Sequence, residues 1–238
     1  MQTAFCPLTA VAMRSEPSQR AEMVNQLLFG DTMWVIDRQK EWLKVRLSFD
    51  GYEGWVSEKQ VIVTDNLPEH DAIALEPTTI IHDGMAMTIQ PGSYYNSQWL
   101  PQPGKSEGLR FAENPVAASR QFRGAPYLWG GRTIMGIDCS GLTQVAFRLC
   151  GITLLRDASQ QATQGNEITF DEKKGGDLAF FANEKGSIVH VGIVMDDSMI
   201  IHSSGKVRID MLTPTGIINS ETGEYSHRLC KLRRIVGS

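Results

Sequence analysis

Period-two alternation dominates the start of the chain. In Glu41-Trp42-Leu43-Lys44-Val45-Arg46-Leu47, residues Leu43, Val45 and Leu47 fall on one face, the signature of a half-buried strand. Phe29-Gly30-Asp31 and Phe49-Asp50-Gly51 punctuate short β-rich runs, and Gly54-Trp55-Val56 opens another. Several short strands in so short a span predict a small barrel over residues 1–64. Residues 65–112 are less regular. Thr79-Ile80-Ile81 and Ala86-Met87-Thr88-Ile89 read as strands. Gln90-Pro91-Gly92, Pro101-Gln102-Pro103-Gly104 and Lys105-Ser106 read as turn or linker. The expectation is a second, short or degenerate barrel plus a linker.

From residue 113 the pattern changes. Pro115 to Phe122 have weak helical periodicity, and Pro126-Tyr127-Leu128-Trp129-Gly130-Gly131 is stiff and turn-rich. Leu142, Val145, Ala146 and Leu149 recur at helical spacing, predicting a helix that starts at Cys139 and ends at Gly151. Strand-like runs follow at Asp177 to Phe181, Ile188 to Met195, Met199 to Ser203 and Val207 to Asp210. A helix followed by an antiparallel sheet gives an α+β layout over residues 113–238.

A length of 238 residues allows one large or two to three small domains. The net charge of −4, with no basic stripe, argues against nucleic acid or an anionic membrane as partner. No run approaches the roughly 18 apolar residues of a membrane span. Met1 to Ala10 lack the basic start and apolar core of a secretory leader. That favours a cytoplasmic protein over a periplasmic or extracellular one whose leader has been removed. The four cysteines, Cys6, Cys139, Cys150 and Cys230, form no CxxC pair, so zinc is not expected. The reading is three buried thiols and one with a chemical role, with no metal or organic cofactor and a monomeric chain.

That role falls to Cys139. In Asp138-Cys139-Ser140-Gly141-Leu142, Asp138 is a natural N-cap and places Cys139 in the first turn. Backbone N–H groups and the helix dipole there favour thiolate and can hold an oxyanion. His190 interrupts the apolar strand Ile188 to Val194, and His202 sits in the next strand. A two-residue loop between these strands would put the histidines on opposite faces. A three-residue loop, Asp196-Asp197-Ser198, pairs residue 192 with 202 and puts them on one face, roughly 7–8 Å apart. The second arrangement is expected, because a Cys–His–His relay needs it. His190 would then take the thiol proton and His202 would orient it. His70, His82 and His227 are assigned to the surface.

Pro126-Tyr127-Leu128-Trp129-Gly130-Gly131, Asp138-Cys139-Ser140-Gly141-Leu142, Gly176-Asp177-Leu178, His190-Val191-Gly192-Ile193 and Ile201-His202-Ser203-Ser204, in this order, resemble the NlpC/P60 family of cell-wall cysteine peptidases. The resemblance covers about residues 113–238. The upstream segment resembles bacterial SH3 domains: Arg14-Ser15-Glu16-Pro17-Ser18 and Gln26-Leu27-Leu28-Phe29-Gly30-Asp31 are similar to the first such domain of γ-D-glutamyl-L-diamino acid endopeptidases. The resemblance implies a papain-like catalytic domain preceded by SH3-like barrels. It implies cleavage of peptidoglycan stem peptides that begin with free L-Ala, between D-Glu and the diamino acid, in murein peptide recycling. By motif position it assigns Glu16, Tyr52 and Asp138 to the substrate ammonium. Tyr127 becomes an active-site tyrosine, an oxyanion or substrate donor. Ser140 and Ser159 would line a D-Glu pocket, with Arg156 and Asp157 as further substrate-binding candidates. Ser159 could instead cap a helix, and Trp129 reads as a core aromatic.

Three further functions compete with this one. A catalytically inactive module would bind wall peptides through the SH3-like domains. A broader NlpC/P60 hydrolase would cut intact wall. A lipid acyltransferase or hydrolase of the permuted relatives would carry its histidine before its cysteine, the reverse of the Cys139, His190, His202 order here.

Overall fold

The computed structural model describes residues 2–102, 109–196 and 198–235. The chain folds into two compact units. The first is Met1–Phe111 with Trp129–Ile134, and the second is Ala112–Leu128 with Met135–Ser238. The turn or linker expected at Pro103-Gly104 and Lys105-Ser106 lies outside the described residues.

The first unit is all β. Strands β1 (Thr3–Phe5), β2 (Ala10–Arg14), β3 (Met23–Leu28), β4 (Thr32–Gln39), β5 (Trp42–Leu47), β6 (Glu53–Ser57) and β7 (Ile62–Val63) form one antiparallel sheet, in the order β3-β2-β6-β5-β4-β1-β7. The alternation expected in β5 is present: Leu43, Val45 and Leu47 are buried in one core with Val11, Met13, Leu27, Met33 and Val56. Beyond it lie two small sheets, β8 (Ala72–Ile73) with β11 (Tyr94–Tyr95), and β9 (Thr78–His82) with β10 (Met85–Ile89). Phe29, Ala74, Ile80 and Ile89 form their core. His82 stacks edge-on against Phe29 and Trp99, and His70 lies against Tyr94 and Trp99. Both histidines are half-buried ring partners, so the surface assignment fails for them. Strand β12 (Arg132–Thr133) also belongs to this unit, and the buried Arg132 reaches the Asp31 carboxylate at 3.3 Å.

The second unit is α+β, as the change of period predicts. It contains α1 (Pro115–Arg120), β13 (Gly136–Ile137), α2 (Cys139–Arg148) and α3 (Ala158–Gln161). Its sheet is built from β14 (Asn166–Ile168), β15 (Leu178–Ala182), β16 (Ile188–Val194), β17 (Met199–Ser204), β18 (Lys206–Leu212), β19 (Gly216–Ile218) and β20 (Tyr225–Arg234). Strand β20 pairs with β14 and β15, and a further pairing with β19 closes β15–β20 into a six-stranded barrel. Phe181, Val194, Ile200, Leu212, Ile217 and Leu232 fill it. Helix α2 packs on β16 and β17, so residues of these strands are covered on both faces and read as apolar runs rather than alternating ones.

Helix α2 begins where Asp138, in an extended conformation, accepts the Gly141 amide in its side chain. It ends at Leu149 with Gly151 left-handed at φ 77°, the conformation glycine adopts without steric strain. Leu142, Val145, Ala146 and Leu149 are fully buried. Truncating Leu142 to Ala should destabilise the chain by about 2–5 kcal/mol, lost transfer energy plus a cavity. A denaturant titration with an unchanged slope and a lowered midpoint is the expected outcome.

Candidate active site

Three polar groups converge at the start of α2. Cys139 is its first residue and is 6% exposed. The backbone N–H groups of Val191 and Ser140 hydrogen-bond to its sulfur, so the thiol lies against β16 one residue along from His190. The Arg156 guanidinium grips Asp138 through both carboxylate oxygens, at 3.1 and 2.6 Å, and donates to Ser140 Oγ at 2.8 Å. Asp138 is therefore engaged by its own helix through Gly141 (2.6 Å) and by a buried cation. Gln161 ties α3 to α2, donating to the Ser140 carbonyl and accepting from Thr143 Oγ1.

The histidines sit on the barrel strands with the register that a three-residue loop demands. Gly192 is opposite His202, Ile193 opposite Ile201 and Val194 opposite Ile200. Asp196 and Ser198 flank the turn, and Asp197 lies outside the described residues. Both imidazoles share a face, with His190 Nε2 and His202 Nδ1 2.8 Å apart. A Cβ at Gly192 would stand 2.9 Å from His202 Cβ and 2.8 Å from Ile200 Cδ1, so the glycine is what leaves room for the second histidine. On its far side His202 Nε2 lies 2.9 Å from Asp210 Oδ2.

His227 is not a surface residue. It stacks on His190 with ring centroids 4.1 Å apart and planes 25° from parallel, while the Phe181 ring lies 5.7 Å from His190 and 5.9 Å from His227. His190, His202 and His227 bring their nitrogens within 4.8 Å of one another. Two nitrogens on one tetrahedral zinc stand about 3.3 Å apart. The 2.8 Å pair instead shares a proton, which argues against reading the cluster as a metal centre.

The electrostatics differ from the sequence expectation in one respect. Burial, followed by the neighbouring Asp138 carboxylate, pushes the Cys139 thiol up to about 12, against the lowering effect of the Val191 amide, Arg156 and the Ser140 amide. The dipole at the helix start does not outweigh that burial, so the resting group is a thiol. Burial, then His202 and His227, holds His190 well below the usual imidazole range. Burial, then His202, lowers His227 to about 4. The site thus pairs a neutral thiol with neutral imidazoles. Tyr127 is held by its backbone N–H to Gly205 and by the Ile137 N–H to the Pro126 carbonyl. Burial, then Cys139 and Asp138, pushes its phenol up to about 12, so it remains a hydrogen-bond donor.

The other expected site residues are each placed within their own unit. Ser159 is exposed inside α3, and the capping group is Asp157, which forms a capping box with Gln160. Glu16 is exposed in the β2–β3 turn, and Tyr52 packs partly against the core of the first unit. Trp129 is 58% exposed and donates to Glu22 at 2.6 Å, so it is not a core aromatic. The cysteines are all free. Cys6 and Cys139 are buried, Cys150 is half-buried and Cys230 is exposed, against the expectation of three buried thiols beside the reactive one.

Family models match two stretches of the chain: the NlpC/P60 family residues 124–228 and the bacterial dipeptidyl-peptidase Sh3 domain residues 13–61. The gamma-D-glutamyl-L-lysine dipeptidyl-peptidase of Bacillus subtilis is 31% identical over 243 residues, covering 88% of this chain and 80% of its own. Dipeptidyl-peptidase 6 of Lysinibacillus sphaericus is 27% identical over 234 residues, covering 80% of this chain and 83% of its own. The crystal structure of an NlpC/P60 family protein from Bacillus cereus superposes with a TM-score of 0.77 over 99% of this chain and 100% of that one, at 22% identity. This likeness shows the shared fold.

A thiol held up by burial gains thiolate about tenfold per pH unit below its pKa. Alkylation of Cys139 by iodoacetamide, read by peptide mapping, should therefore keep rising between about pH 7 and 10. A plateau near neutrality would instead mean a preformed thiolate.

Proposed function

The chain belongs to the NlpC/P60 family, and from that premise we propose that it is a cysteine peptidase cutting the γ-D-Glu–diamino acid bond of peptidoglycan stem peptides that begin with free L-Ala. The observation that carries this is the buried thiol of Cys139 set beside the strand whose His190 is bonded to His202 at 2.8 Å. The names of the relatives supply the bond.

In this reading His190 removes the Cys139 proton as Sγ attacks the γ-carbonyl carbon of D-Glu. Because both groups rest neutral, the proton moves during attack, and charge develops only as the tetrahedral oxyanion forms. Backbone N–H groups at the start of α2 and the Tyr127 hydroxyl are the donors proposed for it. The intermediate collapses as the imidazolium returns its proton to the leaving amine of the diamino acid. A thioester remains. Water, deprotonated by His190, attacks it and releases L-Ala-γ-D-Glu and the free thiol. Arg156 and Ser140 hold the carboxylate at the first turn and so fix the direction in which Cys139 projects. A role in recycling trimmed wall peptides fits a requirement for a free amine.

Mass spectrometry of L-Ala-γ-D-Glu-diaminopimelate, with and without N-acetylation, tests the reading. Only the free-amine peptide should yield L-Ala-γ-D-Glu, and Cys139→Ala should remove the activity by on the order of 10³-fold or more. Cleavage of both peptides would indicate a broader wall hydrolase. Cleavage of neither would favour a binding module.

A further inference from the structure

The hydrogen-bond chain from His190 does not stop at His202. It ends on Asp210, a buried carboxylate on β18 that is 1% exposed. We propose that Asp210 is a positioning residue that fixes the tautomers of His202 and His190 and so leaves the lone pair of His190 on Nδ1. The inference rests on the reading of His190 as the general base.

The protonation states follow from the donors. Asp210 Oδ1 accepts the Ser220 amide at 2.9 Å, the Ser220 hydroxyl at 2.7 Å and Arg208 at 3.1 Å. Arg208 Nε also lies 2.8 Å from Oδ2. Burial alone would raise this carboxyl. The bonds from His202, Ser220 and Arg208 outweigh burial and hold it well below the usual carboxylate range. An ionised carboxylate only accepts. The 2.9 Å contact to His202 Nε2 therefore puts a proton on Nε2. Arg208 already supplies the countercharge to Asp210, and Glu221, 3.1 Å from Arg208, has Lys206 at 2.9 Å as its own cation. A second cation at His202, buried beside His190 and His227, would have nothing to offset it. Neutral His202 then accepts at Nδ1, and His190 donates from Nε2 across 2.8 Å. In neutral imidazole the other nitrogen, Nδ1, is the base. The His227 ring stacked at 4.1 Å on His190 resists the rotation that would exchange the two nitrogens.

Asp210→Asn reverses the chain. The Ser220 and Arg208 donors retain the amide oxygen at the Oδ1 position, so the amide nitrogen faces His202 Nε2 and donates. His202 then carries its proton on Nδ1, and His190 carries its own on Nδ1, where the thiol proton should go. The expected loss in kcat/KM at neutral pH is on the order of 10²–10⁴-fold with KM little changed.

The test is 15N NMR of the histidine rings in the wild-type full chain and in Asp210→Asn, alongside kinetics on the free-amine peptide. The wild-type spectrum should show His190 unprotonated at Nδ1 and protonated at Nε2, and the variant should show the reverse together with the lost rate. Protonation of wild-type His190 at Nδ1 overturns the proposal, and this spectrum decides even if the variant does not fold. A variant that loses activity without moving the tautomer also overturns it, since Asp210 would then be merely structural. A wild-type chain with the expected tautomer but no cleavage of the peptide would refute the peptidase reading and leave the tautomer assignment standing.

Discussion

A charge taken out of water must be matched by donors on the spot, and two such matched charges stand beside the thiol and the histidines of the second unit. One is Asp138 with Arg156, at 2.6 Å, where the ion pair also holds the first turn of α2. The other is Asp210 with Arg208 and Ser220, on β18 beside the strand that carries His202. Breaking either pair by removing one partner would leave an uncompensated buried charge, a cost of about 3–5 kcal/mol. Between them, burial disfavours the charged forms of the Cys139 thiol and of the His190 and His227 imidazoles.

That partition explains why the reactive residues are borne on such different elements. The thiol needs a helix start, because only there do several free N–H groups point at one spot. The histidines need neighbouring strands in a fixed register, because a one-residue slip would send one imidazole to the opposite face. Gly192 makes the register possible by leaving out a side chain opposite His202.

Much of this was legible in the sequence. The β5 alternation, the α2 repeat and the even sum of paired residue numbers across β16 and β17 each rest on local periodicity, and all are present. What was not legible depends on partners distant along the chain. Strand β20 closes the barrel, yet Tyr225 to Arg234 show no clean alternation because its residues pair in turn with β14, β15 and β19. His227 reads as polar loop because its burial comes from stacking on His190. Asp210 lies at the edge of an expected strand, and only the two-residue offset from Arg208, with His202 opposite Arg208, hints at its role. The thiol was expected to be acidified. Helix position argues for that, but the burial that raises it arises from the tertiary packing of α2 against β16.

The neutral resting thiol has a consequence for survival under oxidative stress. Peroxide attacks thiolates, and Cys139 is 6% exposed with its sulfur protonated, so it is a poor target. Cys230 is exposed on β20, and it offers oxidants and mixed-disulfide partners a sulfur that lies outside the relay. A nucleophile that becomes reactive only as substrate and base meet it is sluggish at rest, and the same sluggishness shields it from reagents that are not its substrate.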